Sequence, residues 1–84
     1  MTEAELEAKI RAGILTEDLK TLYETFVRFK EEGGEQVIAE NLCNKLIVEY
    51  SNTNEKVADL IRDVCDFVVG WCLPDVAIWK NTHE

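Results

Sequence analysis

The chain has very few of the polar residues on which small enzymes depend. Its single histidine, His83, is followed by one residue, and its single serine, Ser51, begins a polar loop. This inventory excludes a Ser-His-Asp arrangement and a Cys/His zinc site, and no Gly-rich phosphate loop of either common spacing is present. We therefore expect a protein that is not an enzyme and that binds no cofactor or metal.

Cysteine occurs three times, and the three thiols of Cys43, Cys65 and Cys72 cannot all pair within one chain. Each lies on an apolar face of a predicted helix, so we predict buried, reduced thiols that behave as small hydrophobic groups. The chain opens without a basic segment followed by an apolar run, and its longest apolar run is too short to cross a membrane. We therefore expect a disulfide-free protein of the reducing cytoplasm.

Basic residues are also scarce. The chain has nine Lys and Arg and 17 Asp and Glu, which gives a formal net charge of -8. The acidic excess extends over the whole chain and is not confined to a tail. Such a surface repels the phosphates of nucleic acids and anionic lipid head groups, so we expect no direct nucleic-acid or membrane binding. A basic surface on another protein is the better electrostatic match.

The apolar pattern predicts one all-α domain over residues 1–84, built as a small antiparallel bundle of about four helices. Thr2 and Glu5 form a capping-box pattern that opens a first helix, and Gly13 is expected to end it. Thr16 is expected to cap a second helix, in which the apolar spacing begins at Leu15.

The remaining helix-ending and helix-capping residues predict two further helices. Gly33 and Gly34 are expected to end the second helix, and apolar residues then favour a third helix over about 35–50. A polar loop follows, in which Asn52 is the expected cap of the last helix. The centres of the apolar stripes predict a buried core of Leu22, Phe26, Leu42, Leu46, Val64, Phe67, Val68 and Trp71.

The last predicted helix carries the widest apolar arc, roughly 200°, which is more than one neighbouring helix can cover. Pro74 allows either a stop or a kink, because an interior proline removes a backbone donor and clashes with the preceding turn. Heptad spacing that continues to Ile78 favours a long helix that is kinked at Pro74 and reaches Trp79 or Lys80.

A second apolar stripe on this helix predicts self-association. Its residues are spaced 4, 3, 4 and 3 positions apart, as in a coiled-coil seam: Cys65, Val69, Cys72, Val76 and Trp79. A homodimer would cover this seam and add stability to a small chain. For Trp79, docking back onto the bundle is the competing prediction.

The polar side of the same helix predicts a partner-binding surface. Its carboxylates lie opposite the apolar stripe: Glu55, Asp59, Asp63 and Asp66. The leading hypothesis is a non-enzymatic protein-binding module, a regulator or inhibitor that docks on a basic surface of a larger protein. In its sharpest form, the carboxylates lie where nucleic-acid phosphates would lie and occlude a nucleic-acid-binding surface.

Two alternatives stay open. The spacing Glu32-x-x-Glu35 followed by Asp63-x-x-Asp66 resembles the acidic motifs of the all-α nucleotide pyrophosphatases of the MazG type. That resemblance implies magnesium bound by carboxylates from two facing helices, and nucleotide hydrolysis. The chain departs from the family at Gly33-Gly34, where the family continues a helix. A structural subunit of a larger assembly is the other alternative.

Overall fold

The computed structural model describes residues 1–70 and 77–79. In this part of the chain, four α-helices follow one another with short connections: α1 (Glu3–Thr16), α2 (Leu19–Glu31), α3 (Gln36–Ser51) and α4 (Glu55–Val69). The all-α bundle predicted from the apolar pattern is therefore confirmed. None of the helices among the described residues combines the length and the apolarity that crossing a membrane would require.

The helices pack as two hairpins, α1 against α2 and α3 against α4, and contacts between α2 and α4 join them. The amine of Met1 lies 2.6 Å from Oε1 of Glu32, so α1 begins beside the end of α2. Likewise, Nε2 of Gln36 donates to the carbonyl oxygen of Val68 at 2.8 Å, which places the start of α3 beside the end of α4. Each hairpin is antiparallel as a result.

The core lies where the two hairpins meet, and all four helices contribute to it. Its buried members are Leu6, Ile10, Ile14, Leu22, Phe26, Phe29, Ala39, Leu42, Cys43, Leu46, Val57, Ile61, Val64, Val68 and Ile78. Among the described residues no polar or charged side chain is buried with them. Burial of this apolar surface is the main source of stability, because it removes the side chains from water without stranding polar groups.

The predicted core is largely confirmed. Leu22, Phe26, Leu42, Leu46, Val64 and Val68 are all buried. The prediction for Phe67 is wrong, since it is only partly buried at the margin of the core, where it packs edge-to-face on Tyr23 at a ring-centroid distance of 5.1 Å. Trp71 lies outside the described residues.

The capping box that opens α1 is confirmed. The backbone N–H of Thr2 donates to Oε1 of Glu5 at 2.8 Å, and the backbone N–H of Glu5 donates to Oγ1 of Thr2 at 3.1 Å. The end of α2 at the glycine pair is confirmed too, since Gly33 follows the helix with φ of 92°. Such a positive φ is easily reached only by glycine.

The predicted end of α1 at Gly13 is wrong. Gly13 is buried inside α1, and a Cβ built there would lie 2.8 Å from Cδ2 of Leu22, so this glycine permits close approach of α2. The helix instead runs to Thr16. Leu15 therefore belongs to α1 and not to the second helix, and it is 85% exposed.

Two predicted caps are displaced by two residues each. Thr16 ends α1, and Asp18 caps α2 by accepting the backbone N–H of Lys20 at 3.1 Å. At the start of α4, the cap is Asn54, whose side-chain oxygen accepts the N–H of Val57, and not Asn52. In both cases the cap is the residue that directly precedes the first residue of the helix.

The predicted continuation of the last helix to Trp79 is also wrong. Helix α4 ends at Val69 because Gly70 adopts a left-handed conformation, with φ of 88°. Residues 77–79 are not helical, and the N–H of Ile78 donates to the carbonyl oxygen of Phe67 at 2.9 Å. The chain thus returns to α4 and buries Ile78 in the core, while Pro74 lies outside the described residues.

Trp79 docks back onto the bundle. Its ring lies 6.3 Å from that of Phe29 in an edge-to-face arrangement, and Nε1 donates to the carbonyl oxygen of Gly34 at 3.3 Å. The continuous helix on which the coiled-coil seam was based is therefore absent. Cys65 and Val69 pack against the core, and Cys72 and Val76 lie outside the described residues. The homodimer stays a prediction.

The boundary between core and surface can be tested with one pair of equal truncations. Leu46 is fully buried on α3 and Leu15 is 85% exposed on α1. We expect Leu46→Ala to lower the free energy of unfolding by about 2–5 kcal/mol, because it opens a cavity. Leu15→Ala should change it by less than about 0.5 kcal/mol. Urea unfolding of the two variants measures the difference, and equal losses would mean that the helical registers are wrong.

The end of α4 can be tested by asking whether one substitution lowers or raises the free energy of unfolding. Because Gly70 has a left-handed backbone, Gly70→Ala should destabilise the protein by about 1 kcal/mol. Inside a continuous helix the same substitution would stabilise it by about the same amount. Urea unfolding shows whether Gly70→Ala lowers or raises the free energy of unfolding. Gly33→Ala is the matched control, since Gly33 also has a positive φ and open space around the added Cβ.

Candidate protein-binding surface

The exposed side of α4 displays a row of carboxylates. Its members are Glu55, Asp59, Asp63 and Asp66, all of which are exposed, and we call this row the α4 acidic face. Val57, Ile61, Val64 and Val68 form the buried stripe on the other side of the helix. At about 100° per residue, the four carboxylates fall within an arc of roughly 80° centred opposite the buried stripe. The structure thus brings the sequence-predicted partner-binding residues together on one face.

Most carboxylates of the α4 acidic face have no cation partner among the described residues. Asp59 is the exception, since its Oδ1 lies 2.6 Å from Nη1 of Arg62 one turn later. Within the part of the chain that the structure describes, Glu55, Asp63 and Asp66 form no ion pair. These three exposed carboxylates are therefore accessible to a partner.

Acidic residues on α1 and α3, in contrast, are engaged in a network between the two helices. The guanidinium of Arg11 makes a bidentate contact with Glu49 at 2.8 and 2.9 Å, and its Nε donates to Glu7 at 2.9 Å. Lys45 donates to Glu7 at 3.1 Å, and Tyr50 accepts a weaker bond from Arg11 at 3.3 Å. Glu7 pairs with Lys45, and four residues later on both helices Arg11 pairs with Glu49. Helices α1 and α3 therefore lie side by side and run in the same direction.

The network shifts the titration of its carboxyl groups. Hydrogen bonds from Arg11 hold the pKa of Glu7 and of Glu49 below the ordinary value of a glutamate, and Lys45 adds to the effect at Glu7. The N-terminal amine of Met1 similarly holds the pKa of Glu32 below its ordinary value. These acidic residues stabilise contacts between helices, so they are less suited to bind a partner than the α4 acidic face.

An open groove of about 750 Å³ lies between α1 and α2. Small side chains line much of it, including Ala12, Gly13 and Thr21, and charges of both signs lie around them, such as Lys9 and Glu24. The mixed charge gives this groove no electrostatic preference for a basic partner.

The carboxylates behind the MazG resemblance are placed differently from a metal site. Glu32 is paired with the amine of Met1, and Glu35 is the exposed residue that precedes α3. The glycine turn separates Glu32 from α3, as its position in the sequence suggested. Throughout residues 1–70 and 77–79, no group of three or more His, Cys, Asp or Glu side chains is arranged to hold a metal ion.

One feature of the structure was not predicted from the sequence. The ion pairs between α1 and α3 depend on which helices are neighbours, although the i, i+4 spacing of Glu7 and Arg11 was a local signal.

Comparison of the chain with protein-family models, with curated proteins and with solved structures gives no match. What the surface can bind is therefore inferred from its own residues.

The Arg11 network makes a prediction for pH dependence. Because the pKa of Glu7 and Glu49 is depressed in the folded protein, their stabilising contribution is present above 4.5, the ordinary pKa, and is lost as the pH falls through the folded value. Arg11→Gln should therefore lower Tm at neutral pH, and its difference from the wild type should shrink below pH 4.5. Thermal melting against pH measures this.

Lys20→Gln is the control for the network, because Lys20 is exposed and belongs to none of the ion pairs of the described residues. Its difference from the wild type should change less over the same pH range. A constant Tm difference for Arg11→Gln at every pH would mean that Arg11 acts through packing of its aliphatic stem and not through the two carboxylates.

Proposed function

We propose that this chain is a non-enzymatic protein-binding module, a regulator or inhibitor that docks through the α4 acidic face on a basic surface of a larger protein. The single observation that carries the proposal is the position of Glu55, Asp63 and Asp66. They are exposed on one side of a helix, and no cation of the described residues pairs with them. The net charge of -8 extends the same negative field over the rest of the molecule.

Helix α4 is a rigid support for such a surface. Its opposite side is buried against α2 and α3, and Asn54 and Gly70 fix its two ends. A partner therefore meets carboxylates whose backbone is already ordered, so binding costs little conformational entropy beyond that of the side chains. Complementary charge then accelerates encounter and fixes orientation more than it adds affinity.

The spacing of the carboxylates favours one kind of basic surface. Asp59, Asp63 and Asp66 follow one another at intervals of four and three residues, which is about 6 and 4.5 Å along the helix axis. A regular row of negative charges is also what the phosphates of a nucleic-acid strand present to a protein. We therefore propose that the docking surface of the partner is one that otherwise binds nucleic acid, and that the cytoplasm is the compartment in which they meet.

The experiment compares two variants of equal net charge. In the first, the α4 acidic face is neutralised by Glu55→Gln, Asp63→Asn and Asp66→Asn. In the second, three exposed acidic residues elsewhere are neutralised, by Glu24→Gln, Glu31→Gln and Glu35→Gln. The immobilised wild type first captures its partner from the native source at low salt. Binding of the purified partner to each variant is then measured by titration.

We expect the α4 variant to bind roughly tenfold more weakly, since each exposed charge pair contributes about 0.5 kcal/mol and tenfold corresponds to about 1.4 kcal/mol. The second variant should stay close to the wild type. The difference should diminish at high salt, because exposed charges are screened. Equal weakening of both variants would contradict the proposal, since it would show that only net charge matters. A partner without a basic surface would contradict it as well.

A further inference from the structure

The centre of the exposed side of α3 carries no charge, in a chain of which 31% is charged. Four exposed residues form this row, which we call the α3 outer face: Val37, Asn41, Asn44 and Val48. At about 100° per residue, they fall within an arc of roughly 60°. Val37 and Val48 are 55% and 65% exposed, and they are two of the three large hydrophobic residues that are exposed in the described part of the chain.

The other sides of α3 already pack within the bundle. Its buried residues are Ala39, Leu42, Cys43 and Leu46. Lys45 and Glu49 reach α1 on one flank of the helix, and Gln36 reaches the end of α4 on the other. The α3 outer face is therefore the side of the helix that is left for an external partner.

The residues of the α3 outer face are spaced as in a coiled-coil seam. They follow one another at intervals of 4, 3 and 4 positions, so Asn41 and Val48 take the a positions of a heptad and Val37 and Asn44 the d positions. The buried residues of α3 then take b, c and f positions, which face away from a seam. A second helix can therefore pack on the α3 outer face without disturbing the core.

Asparagine in the seam favours a second copy of the same chain. A side-chain amide both donates and accepts hydrogen bonds, so two Asn41 side chains that meet across a two-fold axis satisfy each other. Asparagine at an a position is a known determinant of register and of the number of strands in a coiled coil. A purely apolar partner would leave the amides of Asn41 and Asn44 unpaired.

The charges beside the seam favour the same partner in one orientation. Glu40 takes a g position and Lys45 the e position of the next heptad. In a parallel pair of helices these two positions of neighbouring copies lie side by side, so Glu40 of each copy meets Lys45 of the other. Lys45 is 58% exposed even though it donates to Glu7, so its ammonium is accessible to a second carboxylate. An antiparallel pair would bring g beside g and e beside e, and these ion pairs would not form.

We propose that the α3 outer face is a self-association surface, on which a second copy of this chain packs in parallel about a two-fold axis. Two chains with a formal net charge of -8 repel each other, so an uncharged face flanked by opposite charges is where they meet at the lowest electrostatic cost. This surface lies on α3, so it depends neither on the α4 acidic face nor on the seam predicted for the last helix.

The dimer is expected to be weak, because α3 has 16 residues and its seam therefore extends over only about two heptads. Sedimentation equilibrium of the full chain is measured under reducing conditions at physiological salt. We expect the mass to rise from that of one chain at about 10 µM to nearly that of two at about 1 mM, with a Kd on the order of 100 µM.

A matched pair of substitutions locates the surface. Val48→Lys places an ammonium group in the seam of each copy, so this variant should stay a monomer over the whole concentration range. Leu15→Lys is the control, because Leu15 is an exposed hydrophobic residue on α1 and the substitution changes the net charge equally. This control should form dimers as the wild type does. Circular dichroism verifies that both variants are folded.

Two charge reversals test the parallel orientation. Glu40→Lys and Lys45→Glu should each weaken self-association about fivefold or more, because each replaces two ion pairs by like charges. In an equimolar mixture of the two variants, every lysine of one copy meets a glutamate of the other. The mixture should therefore associate more tightly than either variant alone.

Four results would overturn the proposal. A wild type that stays a monomer at the highest concentration means that the α3 outer face does not bind a second copy. A dimer that Val48→Lys leaves intact is formed by another surface. Equal loss of the dimer in Leu15→Lys means that the effect is not specific to α3. Finally, a mixture of the charge-reversal variants that associates no better than either alone excludes the parallel pair.

Discussion

Burial of one side of α4 against α2 and α3 is the constraint on which the rest of the structure depends. The stripe from Val57 to Val68 joins the two hairpins, and most of the remaining core packs around it. Because a helix repeats every 3.6 residues, fixing this stripe also fixes what lies opposite it. The carboxylates of the α4 acidic face are exposed for that reason.

The acidic residues of the chain have two physical roles. On α1 and α3, Glu7 and Glu49 are paired with cations and hold the two hairpins together at their outer side. On α4, Asp63 and Asp66 are exposed without an ion pair among the described residues. Exposed pairs contribute little to stability, so retaining unpaired carboxylates on a rigid helix costs the fold little and leaves their charge available for recognition.

How far the sequence predicts the structure depends on how local each signal is. Helical periodicity and the Thr2 capping box act over a few residues, and they predicted the all-α fold, the start of α1 and most of the core. Gly13 was misread as a helix end because its role is a close approach to Leu22, which is a tertiary contact. Heptad spacing placed Ile78 on a continuation of the last helix. Ile78 is buried in the core, but α4 ends at Val69 and residues 77–79 are not helical.

The same distinction applies to the candidate sites. The α4 acidic face lies on a single helix, so amphipathic spacing was sufficient to predict it. The Arg11 network joins two helices, and which helices are neighbours follows from packing that no spacing rule provides. Sites of this second kind emerge only once the hairpins are placed.

Chemical footprinting of carboxylates shows whether the α4 acidic face is the docking surface. Carbodiimide-activated coupling of an amine labels accessible carboxyl groups, and peptide mass spectrometry counts the label at each position with and without the bound partner. If the α4 acidic face binds the partner, Glu55, Asp63 and Asp66 are labelled in the unbound protein and protected in the complex, while Glu24 and Glu31 stay labelled in both. Protection of Glu24 and Glu31 with continued labelling of the α4 acidic face would show that the partner binds elsewhere.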